Sequence, residues 1–278
     1  MSAIKEGKYV EVNGLRLHYQ ETGAGDPVLL LHGWPTSSFL YRNIMPSVAE
    51  AGKRALALDL PGFGLSDKPL DQPYSFRFFQ KTIDGFLKAV DAERVHLVVH
   101  DLGGPLGVYW AVANVERVRS LTILNTLVYP EMSWAVKAFI LALRLPLVRD
   151  FFTSPMGLRM GMRAGVRDAA RHTDEMYAGV TAPFQTAEAR QALIKTAGDL
   201  NPKGFFLMAQ KLQQFKCPVR IIYGEADVIL PDIADTVARL KQDLPQAEVT
   251  ALPGCGHFLQ EDQPEEVARL LGEFYARV

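Results

Sequence analysis

The chain has 278 residues, 48% hydrophobic and 22% charged, with a formal net charge of −1. That size fits one globular domain with an inserted subdomain and a large core. The near-zero charge argues against nucleic acid or an anionic membrane as a partner. Two cysteines, Cys217 and Cys255, call for no disulfide and lack metal-site spacing, which suits a reducing compartment. The stretch Met1–Lys8 has no apolar signal segment, and the longest apolar run, Ala138–Val148, is broken by Arg144 and Pro146. The expectation is a soluble cytoplasmic protein, monomeric or homodimeric.

In chain order, Tyr9–Val12 and Leu15–Gln20 flank Asn13-Gly14, a two-residue hairpin signal. Pro27–His32, Arg54–Asp59 and Arg94–His100 are continuous apolar runs of the kind that form buried parallel strands. Leu121–Asn125, Val219–Tyr223 and Ala247–Ala251 complete the strand set. Between them lie helical patterns such as Phe78–Val90, and Glu265–Val278 closes the chain. Alternation of this kind predicts a mostly parallel sheet covered on both faces. The alternation stops over residues 128–207, where helical spacing at Trp134, Lys137, Ala138 and Leu141 predicts a helical cap. The expected organisation is a core of residues 1–127 and 208–278 with the cap at 128–207. The four methionines between Met132 and Met162 read as core filler, and the cap arginines as a solvated face.

The segment Asp101-Leu102-Gly103-Gly104 joins the run ending at His100 to a helix-like stretch. A strand turning sharply into a helix through small residues is a nucleophile elbow, and here its side chain is a carboxylate. A carboxylate is ionised at neutral pH without an adjacent base. It suits displacement at saturated carbon, leaving an alkyl ester on the protein, and it is a poor catalyst of acyl transfer. The alternative reading of Asp101 is a buried or capping acid.

Two further residues follow in a workable order: Asp227, just past the strand Val219–Tyr223, and His257, in the loop after the last strand. Both lie at carboxyl ends of parallel strands, where open α/β sheets build sites. Glu225 and Asp232 compete with Asp227, the latter as a helix cap. His32 is read as shaping its loop, His100 as orienting neighbours, and His18, His96 and His172 as structural or exposed. No cluster has metal-ligand spacing, and Gly62-Phe63-Gly64 lacks the following glycine of a dinucleotide loop.

Together these residues resemble the α/β-hydrolase superfamily, in the branch of haloalkane dehalogenases and epoxide hydrolases, nearly end to end. The run His32-Gly33-Trp34-Pro35 through Asn43 is similar to the oxyanion-loop motif of both families. Asp59–Pro69 matches a superfamily loop, Gly256–Asp262 matches the segment around the catalytic histidine, and Tyr177–Phe184 is similar to the dehalogenase cap. The resemblance implies a triad of Asp101, His257 and Asp227, no cofactor, and water with a small hydrophobic substrate. It also implies an oxyanion hole from the backbone N–H groups of Trp34 and Leu102.

Two departures bear on the substrate. Dehalogenases usually have Trp after the nucleophile and Asn or Glu after the His-Gly pair; here these are Leu102 and Trp34. Side-chain N–H donors stabilise a departing halide, and Leu102 offers none. An aromatic residue followed by Pro resembles the epoxide hydrolase pattern instead. That family protonates the opening epoxide from cap tyrosines, for which Tyr177 and Tyr129 are the candidates; at its second tyrosine position stand Phe205-Phe206. The expectation is therefore an epoxide hydrolase, with haloalkane dehalogenase as the alternative. A serine-type esterase and a non-catalytic binding protein on this fold come after these.

Overall fold

The computed structural model describes residues 7–278; the segment Met1–Glu6, part of the N-terminal stretch read for a signal, lies outside the described residues. The strands are β1 (Lys8–Val12), β2 (Leu15–Gly23), β3 (Asp26–Leu31), β4 (Lys53–Leu58), β5 (Val95–Asp101), β6 (Val118–Thr126), β7 (Val219–Gly224) and β8 (Glu248–Leu252). They form one sheet in the order β1-β2-β4-β3-β5-β6-β7-β8. β1 and β2 pair antiparallel, as β2 does with β4; every later pairing is parallel. The β1–β2 turn has Asn13 and Gly14 both at positive φ, the geometry that a tight hairpin requires.

The helices are α1 (Met45–Glu50), α2 (Phe76–Ala89), α3 (Gly103–Val112), α4 (Trp134–Ala142), α5 (Pro146–Phe152), α6 (Pro155–Gly165), α7 (Asp174–Thr181), α8 (Ala187–Gly198), α9 (Lys203–Lys211), α10 (Ile233–Asp243), α11 (Leu259–Asp262) and α12 (Pro264–Tyr275). Strand alternation divides the core between the sheet faces. Leu29, Leu31, Leu97 and Val99 join one cluster with residues of α2 and α3. Val28, Leu30 and Val98 join the other, with α1 and α12. Five central strands buried on both faces explain the continuous apolar runs.

From the end of β6 to the start of β7 the chain forms only helices, α4 to α9 with short 3-10 turns. Ser133, Ser154, Thr173 and Thr186 each cap a helix there by accepting from a backbone N–H. The expected cap boundary at residue 207 falls inside α9, whose Phe205 packs against Phe76 of α2 at 5.5 Å between ring centroids. The methionine expectation fails for two residues: Met162 is buried, but Met156 and Met160 are exposed. The helices around them are short and leave one side uncovered.

Candidate active site

Asp101 ends β5 and adopts a φ of 47°, a conformation that L side chains seldom take. Such strain marks an elbow that surrounding contacts hold in place. The glycines that follow make it possible. A Cβ on Gly103 would collide with the Leu31 carbonyl, and one on Gly104 with the Thr126 hydroxyl. That hydroxyl donates to the main-chain oxygen of Asp101 at 2.5 Å and so fastens the elbow to β6.

The carboxylate has two differently served oxygens. Oδ1 accepts the backbone N–H of Trp34 at 2.6 Å. Oδ2 lies 3.3 Å from His257 Nε2, in an ion-pair contact rather than an aligned hydrogen bond. Burial alone would raise the Asp101 pKa, but His257, and then the Leu102 N–H, outweigh it and hold the group below its ordinary value. The Asp101 side chain remains 14% exposed, whereas that of His257 is fully buried, so a small molecule reaches the carboxylate first.

His257 Nδ1 faces Asp227 Oδ2 at 2.8 Å. Asp227 Oδ1 accepts the backbone N–H groups of Ile229 and Leu230, both at 2.8 Å, and Oδ2 also accepts the Asn125 amide at 2.7 Å. Against its burial, His257 and these donors lower Asp227 to about 2. Burial opposes charge on His257 as well, but the two flanking carboxylates reverse this and raise its pKa well above the ordinary value. The two carboxylates thus favour the imidazolium form of His257.

Asp101, His257 and Asp227 thus come together, with Trp34 and Leu102 at the first. Of the competitors, Glu225 is exposed, and Asp232 stands at the N-cap of α10 without a capping bond. His32 braces its loop, set against the Gly33 carbonyl at 2.9 Å and accepting the Leu60 N–H at 3.1 Å. His100 lies 3.0 Å from the His257 carbonyl, with burial lowering its pKa to about 4, so it is neutral and donates there.

Neither candidate tyrosine hydrogen-bonds to the triad. Tyr129 donates to Asp243 on α10 at 2.7 Å, and burial with that carboxylate pushes its phenol far above its ordinary range. The Tyr177 hydroxyl is paired with His172 at 2.9 Å. The Trp34 indole N–H points into the cap and donates to the Leu193 carbonyl at 3.2 Å. Asn125 is the functional residue that sequence reading passed over. Its amide joins Asp227 to the Gly224 N–H, which it accepts at 2.8 Å. The available signal was a polar amide straight after the mostly apolar run Leu121–Leu124.

A sheet wound in this order, with its elbow at the carboxyl end of the fifth strand, defines the class as an α/β-hydrolase with aspartate at the nucleophile position. A family profile described as alpha/beta hydrolase fold matches residues 26–157. Haloalkane dehalogenase 2 of Mycobacterium tuberculosis is 30% identical over 96% of this chain and 94% of that protein. The cis-3-alkyl-4-alkyloxetan-2-one decarboxylase of Shewanella oneidensis is 29% identical over 96% of this chain and 87% of that protein. The crystal structure of haloalkane dehalogenase DbeA from Bradyrhizobium elkani superposes with a TM-score of 0.85 at 27% identity, covering 98% of both chains. This chain belongs to the α/β-hydrolase superfamily, in the branch of haloalkane dehalogenases and epoxide hydrolases, and it is a hydrolase.

Proposed function

We propose that this hydrolase works at saturated carbon through a covalent ester on Asp101. The observation behind this reading is the split service of the carboxylate: Oδ1 is held by the Trp34 N–H, and Oδ2 is turned toward His257. Oδ2 attacks the substrate carbon, and the carbon–leaving-group bond breaks with its electron pair on the leaving group. Ester formation removes the charge on Asp101. His257 then keeps only one of its two carboxylate partners, its proton affinity falls, and it passes its proton to the departing group or to solvent, which makes it a base. Neutral Nε2 takes a proton from water, whose oxygen adds to the ester carbon. The oxyanion that develops on Oδ1 meets the N–H groups of Trp34 and Leu102. Collapse expels the alcohol with the proton from His257 and leaves Asp101 as a carboxylic acid, whose proton passes to His257 and restores the starting carboxylate, while Asp227 stabilises the imidazolium.

For the leaving group, the dehalogenases that match nearly the whole chain support halide first. Removing one N–H donor from a developing charge costs about 3 kcal/mol. With no side-chain donor at Leu102 and the Trp34 indole committed to Leu193, such an enzyme should favour iodide and bromide strongly over chloride. The same shortage of donors favours a second reading, an epoxide hydrolase, whose leaving oxygen stays on the substrate and needs a proton instead. Its cost is the engagement of both tyrosines elsewhere, so Tyr177 would have to exchange His172 for the substrate oxygen.

The test is a panel of 1-iodobutane, 1-bromobutane, 1-chlorobutane, styrene oxide and a dialkyl oxetan-2-one, with halide, diol and alkene measured for each. Halide release in the order iodide, bromide, chloride supports the first reading, and diol alone supports the second. Alkene alone from the oxetan-2-one overturns both. His257→Gln should accumulate an alkyl adduct on the peptide containing Asp101, seen by mass spectrometry. An inactive variant that never holds an adduct refutes the covalent route.

A further inference from the structure

The near-neutral total charge conceals a local asymmetry. Residues 133–165, covering α4 to α6, contain five cationic residues and the single acid Asp150, a local excess of four within a chain whose total is −1. Arg149 lies 3.7 Å from Asp150, and Arg159 lies 3.9 Å from Asp174. Lys137, Arg144 and Arg163 form no ion pair among the described residues.

The same segment exposes large apolar side chains. Leu147 is 87% exposed and Trp134 77%, and Leu141, Leu145, Phe151 and Met160 are exposed as well. On α4, Trp134, Ala138, Leu141 and the following Leu145 share one stripe at helical spacing, with Lys137 and Arg144 along its edge. No residue of α4 or α5 is fully buried. Beside α5, an open groove of about 670 Å³ is lined by Arg149, Ser154, Arg190 and Lys195, together with Asp150. A contiguous apolar patch of this kind marks an interaction surface.

We infer that the outer face of α4 to α6 docks on an anionic lipid surface. An apolar face flanked by cations is the pattern of helices that lie in a membrane interface. The cations complement anionic headgroups, each adding to the attraction near the surface. A second copy of the chain is a poorer occupant, because a two-fold interface through this patch would bring its cations face to face. The attachment is peripheral, since no helix among the described residues is long and apolar enough to cross a membrane. The inner side of α4 meets the site, with Phe139 at 4.9 Å from the Trp34 ring. Docking would therefore place the roof of the site against the acyl layer.

The test is flotation of the purified protein with vesicles of phosphatidylcholine alone or with about 30% phosphatidylglycerol, which gives the surface a negative potential. The wild type should partition at least about tenfold more strongly onto the anionic vesicles, and 0.5 M salt should release it. Trp134 emission should shift to the blue on binding, a change that Trp134→Phe should abolish. The pairs Trp134→Ser with Leu147→Ser, and Arg144→Glu with Arg163→Glu, should each lose about tenfold or more in partitioning. All four positions are exposed, and unchanged circular dichroism verifies their folding. Three results would overturn the inference: no partitioning of the wild type, equal partitioning onto neutral vesicles, or full partitioning by both paired variants. A dimer that Leu147→Ser dissolves, without vesicle binding, assigns the face to a second copy instead.

Discussion

Asp227 is held by four donors, and one of them, Asn125, has no part in the chemistry proposed for the triad. Its value is mechanical: one amide spans from the Gly224 N–H to the Asp227 carboxylate and fixes the rotamer that serves His257. Asn125→Ala should leave a buried N–H without its partner, at a cost of about 1–3 kcal/mol. Turnover should fall more than substrate affinity, by one to two orders of magnitude, with the acid limb of the pH profile shifted upward as Asp227 loses a donor. Asn125→Asp, which would press a second charge on Asp227, should be worse than Asn125→Ala; equal kinetics for Asn125→Ala and wild type would deny the residue this role. At this scale the meeting of the three residues was legible because Asp101 ends a strand and Asp227 and His257 follow strands. Asn125 was not, because an amide inside a strand announces no chemistry until its partners are known. The partners of the tyrosines were hidden for the same reason: Tyr129 and Tyr177 stand in the cap's first and later segments, and only the structure shows their hydroxyls engaged by Asp243 and His172.

Gly33 belongs to the loop after β3 and shows how closely two elements meet at the site. A Cβ there would collide with the Asp101 carboxylate. Gly33→Ala should push the carboxylate off the Trp34 N–H while leaving the fold cooperative, and adduct formation should slow by at least about a hundredfold, the scale of one lost oxyanion donor. Retention of wild-type adduct formation, measured by rapid-quench mass spectrometry, would show that the loop yields. The order of strands and helices could be read from alternating periodicity, and the β1–β2 turn from Asn13-Gly14. The end of the cap could not. Helix α9 continues the helical pattern without a break, and its contacts with α2 and α3 tie it to the core. The exposed side of α4 to α6 was equally hidden, since an apolar helical stripe looks the same in sequence whether or not another element covers it.

Over the whole molecule, the triad couples stability to pH. His257 binds its proton more tightly folded than unfolded, so its pairing stabilises fully below 6.5 and is lost as the pH climbs toward about 10. Asp227 has the opposite sign: its contribution is complete above 3.8 and is lost as the pH falls toward about 2. The melting temperature should therefore be highest between these limits and decline on both sides. His257→Gln should flatten the alkaline decline, and an unaltered alkaline limb in that variant would remove the triad as its source. Trp34 has a wider consequence. Its main chain grips the nucleophile while its indole grips Leu193 of α8, so one residue is shared between floor and roof. Any displacement of α8 would therefore be felt, through Trp34, at the donor that holds Asp101. The placement of the nucleophile and the seating of the cap are thus tied to one side chain and its own backbone.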